Sequence, residues 1–282
     1  MAALPSVSEP AVMLRGIFRD LSRISGERRT QPRIVFFHLP RTGGTAIAKD
    51  ILFPNFPRSQ WCHVNYGVDF QPLGGAQHPL AWTKSKRARV KLLAGHMPFG
   101  LTRHFPGPSE YFTMLRDPVQ RTISDYYYCR RALCNAAHEE ARKLSLIEFV
   151  RRGLGLTHNC YARWLSNAIY GTEFRSKNEM LEAARANLSL FAFVGLTEMF
   201  DASVSRICER FRLLRSPLSI VNRNQATPAG NSLSSEERRT IIHCNELDHV
   251  LYEDCRRRFL AEAAETEPVR AIAATVGPEP HT

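Results

Sequence analysis

The 282-residue sequence predicts one α/β domain on a mainly parallel central sheet flanked by helices, in a three-layer, P-loop-like arrangement. Three observations predict it. Arg33 to His38 is an almost unbroken apolar run, as expected of a strand buried on both faces. Further short β-like runs follow at Val90 to Ala94, Tyr111 to Leu115 and Phe191 to Gly195, each bounded by Gly, Pro or charge. Between them lie stretches of helical periodicity, and strands alternating with helices build parallel sheets whose ligands collect at the strands' carboxyl ends.

The first strand leads through a Gly-Gly turn into a helix from about Thr45 to Leu52. Later helices are expected over Val119 to Leu133, Leu146 to Arg152, His158 to Asn167, Glu179 to Ser189 and Glu198 to Leu214. Two more, Ser235 to Cys244 and Glu246 to Ala264, close the domain. Pro54 to Pro79 and Pro217 to Ser235 are rich in turn residues and are expected to be long loops. The domain is therefore placed at 31–264, after a loosely ordered or amphipathic lead over 1–30 and before a mobile Glu-, Ala- and Pro-rich tail over 265–282.

Composition narrows the function. There is no run of about 18 apolar residues to cross a bilayer, and charges interrupt any signal-peptide core in the first 30 positions, so the expected setting is cytoplasmic or peripheral to a membrane. Seven cysteines, without a CxxC pair or zinc-like His spacing, are expected as reduced thiols, and no metal site is expected. Thirty-eight Lys and Arg against 27 acids give a formal charge of +11, which suits an anionic ligand without selecting one.

Two segments carry chemistry. His38-Leu39-Pro40-Arg41-Thr42-Gly43-Gly44-Thr45 stands at the end of the first strand and the start of a helix. The glycines allow a tight turn with open backbone N–H groups, the helix start adds unpaired donors, and Arg41, Thr42 and Thr45 add a forked cation and hydroxyls. A Walker loop would end in Gly-Lys-Ser/Thr, which this one lacks. The second segment, Arg116-Asp117-Pro118, follows the Tyr111 to Leu115 strand. Pro118 suits the first helical position and Asp117 its cap, so Arg116 leaves a strand end. Arg121, Ser124 and Tyr128 recur on one helix face, and two arginines with a hydroxyl suit a second phosphate.

Together these motifs resemble the family 2 carbohydrate sulfotransferases. The first is similar to their 5′-phosphosulfate loop, and Leu115-Arg116-Asp117-Pro118 through Ser124 to Tyr128 is similar to their 3′-phosphate motif. Gly95-His96-Met97-Pro98-Phe99-Gly100 resembles the segment that holds the catalytic base in uronyl 2-O-sulfotransferases of the heparan and dermatan type. Phe193 to Glu198 resembles a recurrent strand and helix start of bacterial members. The resemblance covers about Arg33 to Phe259. It implies a 3′-phosphoadenosine 5′-phosphosulfate donor and a hydroxyl acceptor, most often on a glycan, without a metal or specific nucleic-acid partner. Thr42, Gly43, Gly44 and Thr45 would hold the 5′ end, and Arg116 and Ser124 the 3′-phosphate. His96 would be the base, and Arg223 in the second long loop an additional donor contact.

Family loops usually carry Lys where this chain has Arg41. An arginine keeps the positive charge but does not give up a proton, so activity is expected to be altered. Trp61, His63, Asn65 and Tyr66, with Arg130, Arg131, His158 and Arg163, are candidate acceptor contacts. Two other classes remain open at this point: a kinase-like NTP enzyme, and a non-catalytic nucleotide- or polyanion-binding homologue.

Overall fold

The structure, a computed structural model, describes residues 31–65, 79–218 and 233–275. Five parallel strands form one sheet in the order β2-β3-β1-β4-β5, with β1 Arg33–Phe37, β2 Trp61–Asn65, β3 Leu92–His96, β4 Ser109–Leu115 and β5 Phe191–Leu196. Every residue of β1 is buried, and because successive side chains point to opposite faces, both faces of the sheet are covered. Phe36 stacks on its register partner Phe112 at 4.7 Å, and Phe112 meets Phe211 at 5.2 Å. Phe37, on the opposite face, packs edge-on to Phe99 and Phe191.

The helices are α1 (Gly44–Ala46, widening into a π-helical Ile47–Leu52), α2 Lys84–Arg89, α3 Pro118–Arg131, α4 His138–Lys143, α5 Leu146–Arg151, α6 Cys160–Leu165, α7 Lys177–Leu188, α8 Phe200–Phe211, α9 Ser235–Cys244 and α10 Glu246–Thr275. Asp117 caps α3 by accepting from the Gln120 N–H at 2.9 Å, with Pro118 in its first turn. Ser145 and Ser234 form reciprocal capping boxes with Glu148 and Glu237 on α5 and α9. Among the described residues no helix is long and apolar enough to cross a membrane.

Three differences from the sequence expectation have local causes. β2 lies inside the stretch expected to be loop. As an edge strand it buries only Cys62 and Val64 and leaves His63 exposed, so its signal is one short alternation among turn residues. Helices α2 and α4 are six-residue segments rich in charge, the first burying no residue and the second only His138 and Ala141, too short for a periodic signal. Helix α10 runs to Thr275, beyond the expected end at Ala264, and continues past Pro268, a residue that argues locally for a stop. The lead over 1–30 and residues 276–282 lie outside the described residues.

Gly95 sits in β3 with φ +131°, and a methyl group there would overlap the Val64 carbonyl of β2. Gly95→Ala is therefore expected to lower stability by at least about 2 kcal/mol through overlap and backbone strain, seen as a lower urea midpoint. An unchanged midpoint would contradict the close approach of β2 and β3.

Candidate active site

Parallel pairing of β1 with β3 and β4 brings three strand ends out on one edge of the sheet. The turn after β1 has Arg41 and Gly43 in the left-handed region, at φ 66° and 78°, with Thr42 between them. Among the described residues the backbone N–H groups of Thr42, Gly43, Gly44 and Thr45 donate to nothing. Such unpartnered amides at a helix start form an anion-binding concavity. The Thr42 side chain is spent within the turn, donating to the Leu39 carbonyl at 2.8 Å. Gly44 is required sterically, since a methyl group there would overlap the His38 ring.

Arg41 leaves this turn and reaches α3. Its guanidinium donates to the Ser124 hydroxyl at 3.2 and 3.3 Å and lies 4.5 Å over the Tyr128 ring. Burial, and then the like charges of Arg131 and Arg116, pull the Arg41 pKa below its ordinary value, while Asp125 and Tyr128 hold it up. Arg41 thus has two further arginines within electrostatic reach, a concentration of positive charge that an anion relieves.

Arg116, half-buried at the end of β4, is held through its backbone. The Tyr161 hydroxyl donates to its carbonyl at 2.8 Å and accepts from its N–H at 3.0 Å. Arg121 departs from the expected shared face. It is fully buried, donates to Thr122 at 2.9 Å, and faces the charges of Asp125 and Asp248 with Cys160 and Tyr161 around it. Asp248 accepts from the Tyr161 and Ala162 N–H groups, capping α6 from α10, and burial raises its pKa to about 6. The second arginine beside Ser124 is thus Arg41, from the turn, and Arg121 is a buried counter-charge beneath the site.

His96 ends β3. Its Nδ1 lies 2.6 Å from the His38 carbonyl, which can only accept, so Nδ1 carries the proton and Nε2 a lone pair. The ring stacks on His38 at 4.5 Å and lies 5.7 Å from Trp164. Burial lowers the His96 pKa to about 4, opposed by the bond to His38, and burial followed by the charges of His96 and His63 takes His38 well below the usual imidazole range. Both rings are neutral at pH 7. Because His38 also touches Gly44, the stack joins His96 to the turn after β1.

The acceptor candidates divide. Asn65 approaches the His96 N–H at 3.5 Å, while Trp61 stacks on Phe53 at 4.2 Å and has the Arg58 guanidinium 4.0 Å from its ring. His63 is exposed on β2. Arg130 donates to the Tyr126 hydroxyl, and Arg131 lies within reach of Arg41. His158 donates to the Val150 carbonyl at 2.8 Å and serves the loop before α6, where Arg163 is half-buried. Tyr66 and Arg223 lie outside the described residues. Thr197 and Glu198, which sequence reasoning noted only within the Phe193 to Glu198 motif, bond to the backbones of both strand ends.

No family model matches the chain. Among curated proteins it is similar to heparan-sulfate 6-O-sulfotransferases. Heparan-sulfate 6-O-sulfotransferase 1 of Gallus gallus is 24% identical over 279 residues, covering 83% of this chain and 68% of the relative. Heparan-sulfate 6-O-sulfotransferase 3-B of Danio rerio is 26% identical over 286 residues, covering 86% and 67%. Among solved structures, a sulfotransferase from Alicyclobacillus acidocaldarius aligns over 78% of this chain and 93% of its own, with TM-score 0.41 and 13% identity. Mouse sulfotransferase SULT7A1 complexed with PAP aligns over 78% and 84%, with TM-score 0.40 and 13% identity.

The two histidines give the site a pH signature. Between pH 6.5 and about 4 the unfolded chain protonates His96 and the folded chain does not, so stability falls as pH falls through that window. Urea midpoints measured from pH 7 to 5 should decline, less steeply in His96→Gln. Equal slopes in the two proteins would contradict a buried neutral His96.

Proposed function

We propose that this protein is a sulfotransferase that moves a sulfo group from 3′-phosphoadenosine 5′-phosphosulfate to a carbohydrate hydroxyl, with His96 as general base. The observation that carries the reading is the meeting of Arg41, from the turn after β1, with Ser124, from the helix after β4. Two anion-binding elements thereby lie side by side, as a nucleotide phosphorylated at two positions requires. The donor set fits that nucleotide, with open amides at Thr42 to Thr45 on one side and Arg116, Ser124 and Arg41 on the other.

The nucleotide supplies the sulfo group and, in its 5′-phosphate, the leaving group. The bond from acceptor oxygen to sulfur forms as the bond from sulfur to the 5′-phosphate oxygen breaks. His96 Nε2 takes the acceptor proton, and the Nδ1 bond to His38 holds the ring in the tautomer that makes this possible. The amides of the turn and the Arg41 charge oppose the negative charge that develops on the leaving phosphate. Arg41 stays protonated and acts by charge alone. Arg223 is proposed as a further donor contact.

The sequence relatives are named for 6-O transfer and the Gly95-His96 segment resembles the 2-O type. Both act on a sugar hydroxyl, and that is the acceptor class proposed here. A kinase-like alternative is disfavoured by the missing Walker lysine.

Calorimetric titration should show 3′,5′-adenosine bisphosphate binding more tightly than ATP or AMP. His96→Ala should keep that binding and lose sulfo transfer by at least about 10²-fold. Retained transfer would remove His96 from its role, and ATP binding best would remove the donor.

The acid limb of kcat/KM should fall near the His96 value of about 4, well below an ordinary histidine. A limb at 6.5 that persists in His96→Gln would assign the base elsewhere. Ser124→Ala should weaken the bisphosphate by about 10-fold, corresponding to loss of a hydrogen bond to a charged group, and leave melting temperature nearly unchanged.

A further inference from the structure

Thr197 opens the 3-10 turn that follows β5, and its hydroxyl oxygen lies 2.9 Å from two carbonyl oxygens. One belongs to Thr42 in the turn after β1. The other belongs to Leu115, the last residue of β4 and the neighbour of Arg116. A single hydroxyl proton is thus shared between the two elements that carry the anion-binding groups. Its own position is rigid: Leu196 pairs with Leu115 across the sheet, and the Ser203 hydroxyl bonds to both the N–H and the carbonyl of Leu196, at 2.9 and 3.0 Å.

The next residue extends the contact. Glu198 accepts from the Asp117 N–H at 2.8 Å and from the Tyr252 hydroxyl of α10 at 3.1 Å. With Tyr161 on Arg116, three consecutive backbone units, Leu115, Arg116 and Asp117, are each held by a side chain from another element. Of these three side chains, Thr197 alone also holds the turn after β1 by a contact to its backbone.

We propose that Thr197 is a positioning residue that sets the separation between the two phosphate-binding halves of the donor site. The proposal rests on the sulfotransferase reading above. A ligand held at two points gains from the second point only when the spacing is fixed to match it, because the second contact is then effectively intramolecular. Loosening the clasp therefore weakens a doubly phosphorylated nucleotide selectively. A nucleotide that uses one half of the site is indifferent to the spacing. A role confined to overall stability would weaken all ligands together or none.

The test compares wild type, Thr197→Val and Thr197→Ser by calorimetry with three probes: 3′,5′-adenosine bisphosphate, adenosine 5′-monophosphate and adenosine 3′-monophosphate. In Thr197→Val the bisphosphate should weaken about 10-fold while each monophosphate changes less than about 2-fold. Thr197→Ser, which keeps the hydroxyl, should restore the bisphosphate. Equal weakening of all three probes, or no weakening of any, overturns the proposal. If Thr197→Val does not fold, Thr197→Ala is read by the same ratio. A wild-type protein that does not prefer the bisphosphate to either monophosphate overturns the donor-site reading itself. A preference that is undiminished in the valine or alanine variant overturns only the role of Thr197.

Discussion

The parallel pairing of β1 with β3 on one side and β4 on the other is the constraint on which the site depends. It forces three carboxyl ends to one edge of the sheet, each followed by a different chemical element. β1 gives a turn whose amides have no partner among the described residues, β3 gives a histidine with a defined tautomer, and β4 gives an arginine and a capped helix. No one of these segments is distinctive alone. Their value comes from being delivered together, and the Arg41 to Ser124 contact shows the turn and the helix side by side.

Burial then decides what each group can do. His96 and His38 are kept neutral by desolvation, so a lone pair is available on His96 throughout the neutral range. Arg121, sealed beneath the site, is compensated by Asp125 and Asp248, and Asp248 also caps α6, whose Tyr161 grips the Arg116 backbone. The charge that is too buried to meet a ligand thus belongs to the scaffold that aims the one that can.

Much of this was legible in the sequence because it rests on local rules. The apolar run of β1, the Gly43-Gly44 turn and the Asp117-Pro118 helix start each follow from the conformational limits of their own residues. The edge strand β2 was not legible, since two buried side chains give too short an alternation. Arg121 was misplaced because helical spacing gives a shared face without saying which side of that face is closed by another helix; α6 and α10, far along the chain, close it. The same holds for His96. Its type and neighbours suggested a base, but its tautomer depends on a carbonyl 58 residues away. Thr197 acts through backbone atoms, which sequence patterns do not display.

The central claim is that one nucleotide spans the two strand ends, and a crystal structure of the protein with 3′,5′-adenosine bisphosphate tests it most directly. The account predicts electron density with the 5′-phosphate on the Thr42 to Thr45 amides and the 3′-phosphate between Arg116 and Ser124. A nucleotide bound elsewhere, or bound at this edge with only one phosphate in contact with the protein, would contradict it.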